Sequence, residues 1–88
     1  MEIRYEKSFE RDLRKVKNKS VKNKIKEKID EIKEVDNFAS LSGIKKIRGY
    51  ENYYRVRIGN FRIGIELKEN IIILARILDR KDIYKYFP

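Results

Sequence analysis

Tyr53-Tyr54-Arg55-Val56-Arg57-Ile58-Gly59-Asn60-Phe61-Arg62-Ile63 reads as a β-hairpin. Tyr54, Val56 and Ile58 alternate with Tyr53, Arg55 and Arg57, the period-2 pattern of a half-buried strand. Gly59-Asn60 is a two-residue turn of the kind that tolerates positive φ. Beyond it Phe61, Ile63, Ile65 and Leu67 alternate with Arg62, Gly64, Glu66 and Lys68. Closing the chain at that turn fixes the register. Ile58 then faces Phe61, Val56 faces Ile63 and Tyr54 faces Ile65, which makes one side apolar. On the other side Arg57 faces Arg62, with Arg55 two residues along. Like charges directly opposite each other cost roughly a few tenths of a kcal/mol to 1 kcal/mol. Arginines gathered on one face, with no acidic partner on Arg55 or Arg57, point to an anion as their ligand. The alternative is a solubilising polar face.

Working outward, Ile44-Lys45-Lys46-Ile47-Arg48 reads as a strand with Gly49-Tyr50-Glu51-Asn52 as its turn. Asp36 to Gly43 is a loop that Phe38 and Leu41 pin to the core. After the hairpin, Lys68-Glu69-Asn70 turns the chain. Ile71 to Leu78 is apolar on both faces and predicts a central strand; a buried helix is the competing reading. Asp79 caps a short last helix, Arg80 to about Phe87. Ile83 and Phe87 face inward at i, i+4, and Arg80 and Tyr84 share another face.

At the other end, Ile3-Arg4-Tyr5 is a brief strand and Ser8 a candidate N-cap. Phe9, Leu13 and Val16 form the stripe of a first helix. Lys17-Asn18-Lys19 breaks the pattern, and Ser20 is a second candidate cap. Val21, Ile25, Ile29, Ile32 and Val35 carry a second helix to about Val35. Helices joined this closely pack as an antiparallel hairpin. Lys22, Lys24, Lys26 and Lys28 on the second helix are a solvated face or a secondary nucleic-acid patch. The expected order is β-α-α-β-β-β-α: an α+β fold with an antiparallel sheet, the helical hairpin on one face and a short C-terminal helix. The opposite sheet face, holding Arg55, Arg57 and Arg62, is expected to stay open. Residues 1–88 are expected to form a single domain with one modest core.

Composition removes several classes of chemistry. Cysteine and histidine are absent, so no disulfide framework, no zinc site and no Ser-His or Cys-His nucleophile pair is expected. The net charge is +9, from 23 Lys+Arg against 14 Asp+Glu. A small domain this basic meets a polyanion, unless its lysines reflect genome bias or a hot habitat. The start, Met1-Glu2-Ile3-Arg4-Tyr5, has no apolar signal region, and no run is long enough to span a bilayer. A cytoplasmic protein is expected.

Three stretches together are similar to a known family. They are Lys46-Ile47-Arg48-Gly49-Tyr50, then Tyr53 to Ile63 as above, then Asp79-Arg80-Lys81-Asp82-Ile83-Tyr84. The combination resembles the RelE/ParE superfamily of toxins from type II toxin–antitoxin modules, most of all its RelE-like branch, over nearly the whole chain. The resemblance implies a ribosome-dependent endoribonuclease that cuts messenger RNA in the ribosomal A site without metal or other cofactor. It also implies a cognate antitoxin, acidic and partly disordered, that wraps the toxin. Carried over by position, Arg55, Arg57, Arg62, Arg80 and Tyr84 are the catalytic candidates. Lys45, Lys46, Arg48 and Lys81 are the RNA-binding candidates. Two positions depart from the family pattern. Asp79 stands where many relatives have His, and Arg55 and Arg57 stand where well-known RelE enzymes have lysines.

These departures bear on the chemistry. Arginine pairs bidentately with phosphate oxygens but stays protonated, so it serves as an electrostatic clamp rather than a base. Tyr84 is the proton carrier, or the platform on which a base stacks. Two other functions stay open on the sequence: a ParE-like inhibitor of DNA gyrase that cuts nothing, and an inert relative that only binds its antitoxin.

Overall fold

In the computed structural model, which describes residues 1–88, the chain begins with β1 (Glu2–Tyr5), α1 (Lys7–Lys15) and α2 (Lys19–Glu34). A 3-10 turn at Phe38–Ser40 leads to β2 (Ile44–Lys46), β3 (Tyr53–Ile58), β4 (Phe61–Lys68), β5 (Ile71–Asp79) and α3 (Arg80–Tyr86). Four strands follow the helical hairpin; the strands read at Ile44, in the hairpin and at Ile71 account for all four, although the expected order counts three, and the short β2 pairs with β3 at the sheet edge. The sheet order is β1-β5-β4-β3-β2. The pairings β2–β3, β3–β4 and β4–β5 are antiparallel, but β1 runs parallel to β5. The sheet is therefore mixed. Short turns force antiparallel neighbours, and no short turn joins β1 to β5.

The hairpin register is the one its turn dictates: Ile58↔Phe61, Val56↔Ile63, Tyr54↔Ile65 and Arg57↔Arg62. Val56, Ile63, Ile65, Ile72 and Leu74 are fully buried against Phe9, Ile25 and Ile32 of the two helices. Each such side chain contributes about 1.5–3 kcal/mol of burial free energy. Tyr54 meets Phe38 edge-on at 5.0 Å, which pins the loop after α2 as expected.

Neither expected serine caps a helix. The break at Lys17-Asn18 supplies the cap of α2 instead, since Asn18 accepts from the Val21 N–H at 3.1 Å and Ser20 lies inside the first turn. Ser8 is likewise inside α1, and its hydroxyl donates to the Ala75 carbonyl at 2.6 Å. That bond belongs to a larger device. The paired part of β1 ends at Tyr5, opposite Leu74. Past that point α1 takes over the open edge of β5. Glu6 N–H donates to Leu74 O at 3.0 Å. Asp12, 3% exposed, accepts from Ile77 N–H at 3.1 Å and from Arg76 Nε at 2.7 Å. The unpaired groups that would make an edge sticky are thereby satisfied inside the chain. Arg76 is a structural residue, held by Asp12, and its guanidinium pKa is raised by that carboxylate.

The face opposite the helical hairpin is only partly open. Ile47, Ala75, Ile83 and Phe87 form a second cluster there, with Tyr53 and Leu78 packed against it. Gly64 makes room for it: a Cβ at that position would lie 2.6 Å from the Phe87 ring. We expect Gly64→Ala to destabilise the fold by about 1–3 kcal/mol, the usual cost of overpacking. Urea unfolding with an unchanged m-value is the measurement; an unchanged midpoint would mean that α3 is not clamped against the sheet. No helix is long and apolar enough to cross a membrane.

Candidate active site

The open remainder of that sheet face gathers cations from three strands. Arg57 lies opposite Arg62, Arg55 opposite Gly64 and Lys45 opposite Arg55. Gly43 closes one wall. Its φ of 78° suits glycine, and its carbonyl accepts from Arg57 N–H at 3.0 Å. The last helix supplies the remaining wall. Asp79 caps it by accepting from the N–H groups of Lys81 and Asp82, both at 3.1 Å. Arg80 N–H donates to Asn60 O at 2.7 Å, tying the helix start to the hairpin turn. With Ile83 fully buried beneath it, α3 turns Tyr84 outward over the arginines. Gly43, Ile44, Lys45, Arg55, Arg57, Arg62 and Tyr84 line a cleft of about 330 Å³.

No carboxylate lines this cleft. The chain's ion pairs, Arg4–Glu2, Lys28–Glu31 and Arg76–Asp12, leave Arg55, Arg57, Arg62 and Arg80 without acidic partners. The Arg55 guanidinium carbon sits 4.6 Å from the centre of the Tyr84 ring, a cation–π contact. Arg55 Nε is buried without a hydrogen-bond partner. A group of that kind costs free energy until a ligand satisfies it. Arg62 Nη1 donates to Gly59 O at 2.8 Å and Phe61 O at 2.9 Å, which fixes its plane at the hairpin turn and leaves its other nitrogens free of protein partners. Tyr84 is 51% exposed. The Arg80 side chain at its hydroxyl holds its pKa below the usual tyrosine value, and the charges of Arg62 and Arg55 add to the effect. Its phenolate is thus more accessible near neutral pH than that of an ordinary tyrosine.

The structure brings Arg55, Arg57, Arg62 and Tyr84 together, with Arg80 beside the Tyr84 hydroxyl. Of the RNA-binding candidates, Lys45 lines the same cleft. Lys46 and Arg48 line a neighbouring depression with Lys45, Ile47 and Arg55, because β2 ends at Lys46 and the chain turns away. Lys81 lies in a third pocket with Asn60, Asp79, Arg80 and Tyr84. Gly43 and Asn60 were not singled out by the sequence as site residues. A glycine just before a strand and a turn asparagine are common features, and only the tertiary contacts with Arg57 and Arg80 give them a role.

Residues 3–84 match the family described as ParE toxin of type II toxin-antitoxin system, parDE. The chain is 45% identical over 89 residues to Toxin RelE3 of Methanocaldococcus jannaschii, with 100% of each chain covered. It is similar in structure to a chain of the RelB-RelE antitoxin-toxin complex from Methanococcus jannaschii. The TM-score is 0.79 and the identity 44%, covering 97% of this chain and 99% of that one. The intact RelBE toxin-antitoxin complex of E. coli contains a chain of the same fold, with a TM-score of 0.70 at 14% identity over 90% of this chain and 95% of that one.

Proposed function

The chain belongs to the RelE/ParE superfamily and is a type II toxin of the RelE kind; from this we propose that it cuts messenger RNA in the ribosomal A site, without calling on a metal. The observation that carries this reading is the single cleft in which Arg55, Arg57, Arg62 and Tyr84 meet with no acid among them. Such a cleft is built for a phosphodiester.

In this reading the arginines hold the scissile phosphate by bidentate pairs and stabilise the charge that develops on the phosphorane. The neighbouring 2′-hydroxyl attacks phosphorus, the bond to the 5′-oxygen breaks, and a 2′,3′-cyclic phosphate is left. The Tyr84 phenolate takes the proton of the 2′-hydroxyl, and the departing 5′-oxygen takes one from water. The lowered pKa of Tyr84 makes more of the phenolate available as a base than in an ordinary tyrosine. Asp79 is occupied as a helix cap and does not serve the proton transfer.

The same uncompensated cations make an acidic, partly disordered antitoxin the fitting partner. Its charge would steer it quickly to this face, and its binding segment would fold on contact. The work is placed in the cytoplasm, where ribosomes are.

Tyr84→Phe is expected to lower cleavage of ribosome-bound message by about 10²-fold or more. It should also abolish a limb of the pH–rate profile that rises toward alkaline pH as the phenol ionises. The limb should lie below the pH at which a free tyrosine titrates, since neighbouring cations lower this pKa. Wild-type rates in the variant would overturn Tyr84 as the base. The ParE description of the matching family favours the second reading, a gyrase inhibitor. That reading requires DNA damage and no in-frame cuts on translated messages when the wild-type protein is induced, and an inert relative requires neither.

A further inference from the structure

We propose that the depression lined by Lys45, Lys46, Ile47, Arg48 and Arg55 holds a second phosphate of the RNA, next along the strand from the one being cut, and that Arg55 touches both. This rests on the RNA-cleaving reading above and adds to it a fixed direction for the strand.

The depression measures about 400 Å³, and four of its five lining residues are cations, with no carboxylate among them. None of the four takes part in an ion pair within the chain. Lys45 and Arg55 face each other directly across β2 and β3. Like charges so placed destabilise a sheet, and an anion between them offsets that cost. The main chain beneath is fixed. Ile47 is 7% exposed and belongs to the apolar cluster that includes Ile83 and Phe87. Its N–H donates to Tyr53 O at 2.8 Å, and its carbonyl accepts from Tyr50 N–H at 3.3 Å. Lys46 and Arg48, on either side of it, are exposed side chains on an anchored backbone.

The depression adjoins the scissile-phosphate site. Lys45 and Arg55 line both it and the arginine cleft. Arg55 and Arg57 stand two residues apart on one face of β3, a separation of about 6.7 Å. That step is comparable to the one between successive phosphates of an extended RNA strand. A guanidinium carries five N–H donors, and Arg55 Nε has no partner in the chain. One arginine can therefore meet oxygens of two phosphates. The pocket that shares Tyr84 with the cleft contains Asp79, whereas this depression holds no acid. The charges thus lead the strand out of the cleft toward Arg48.

The test uses programmed ribosomes whose messages carry one uncharged methylphosphonate at a time beside the cut. The 2′-hydroxyl next to each replacement is removed, there and in the matched phosphate control, so that the linkage survives. The readout is the toxin concentration giving half the maximal single-turnover rate. For the wild type, replacement at one of the two phosphates flanking the scissile one should raise that concentration about tenfold, as for loss of a charge-assisted hydrogen bond. The Lys46→Ala/Arg48→Ala variant should need about tenfold more toxin on the control message, and the same replacement should then add nothing. Such non-additivity marks a direct contact, and the ribosome's own contacts with the message cancel in the comparison. Removing equal charge at Lys17 and Lys19, where α1 gives way to α2, should leave the replacement effect at its wild-type size. Independent effects of variant and replacement, or equal coupling to both flanking phosphates, would overturn the second site and leave the arginine cleft standing. The depression would then fall to an acidic protein segment. Absence of any cleavage of the unmodified message would instead remove the RNA-cleaving reading, and the second site with it.

Discussion

Arg62→Ala is expected to lower ribosome-dependent cleavage by about 10²–10³-fold, the usual loss when a preorganised donor to a developing oxyanion is removed. Of the arginines in the cleft, Arg62 is the one held by hydrogen bonds of its own, through Nη1 to the Gly59 and Phe61 carbonyls. Its plane is set before any substrate arrives, so little reorganisation accompanies the reaction. Arg57, directly opposite, is exposed and has no such tether. The two cations should bind one phosphate together, so their effects will not add. Arg62→Lys keeps the charge and loses the fork, and should fall between alanine and wild type. The two lost bonds lie on the turn, where such bonds contribute about 0.5–1.5 kcal/mol each at most. Single-turnover cleavage on programmed ribosomes, with a melting curve beside it, separates the two effects. A rate within a few-fold of wild type would place the phosphate elsewhere.

Asp12→Ala should be the most destabilising of the substitutions considered, by about 3–5 kcal/mol. The carboxylate is almost wholly buried and accepts three hydrogen bonds, two from Arg76 and one from the Ile77 amide. Removing it leaves a buried N–H without a partner and a guanidinium, 23% exposed, without a counter-charge. Domains of this kind are stable by only about 5–15 kcal/mol in total, so the variant should unfold at a much lower denaturant concentration. A change below about 0.5 kcal/mol would mean that β5 does not need its edge closed. The site itself would be affected only indirectly, since Asp12 does not line the arginine cleft.

Much of this fold was legible because its signals are local. The alternation of Tyr54, Val56 and Ile58 and the Gly59-Asn60 turn determine which residues face each other, and that in turn places Arg57 against Arg62. Asp79 as a cap and Ile83 as the buried anchor of α3 are local in the same sense. What was not legible depends on contacts between residues far apart in sequence. Asp12 sits in a run of polar residues and nothing adjacent marks it as buried. Ser8 looks like a cap because serine prefers that position, but Ala75 claims its hydroxyl. The register shift between Gly64 and Ile65 leaves Ala75 unpaired, and no pattern announces it. The site followed the same division. The arginines could be placed on one face from their spacing, whereas Tyr84 reaches them only because Arg80 bonds to Asn60 and Phe87 fits over Gly64. The strand that begins at Ile44 ends at Lys46, two residues before the sequence pattern ends it.

The strand order has a consequence in time. β5 is the sheet's second strand, flanked by β1 and β4, yet it is made after both, and the segment that carries Tyr84 and Phe87 is made after that. Synthesis delivers the arginine hairpin first, as an unsupported ribbon whose apolar side has no complete sheet to join. Isolated hairpins are marginal in water, and long-range pairing such as β1 with β5 comes late. The cleft can close only when residue 87 is free to seat on Gly64. The cleft is therefore the last part of this fold to be completed as the chain is made.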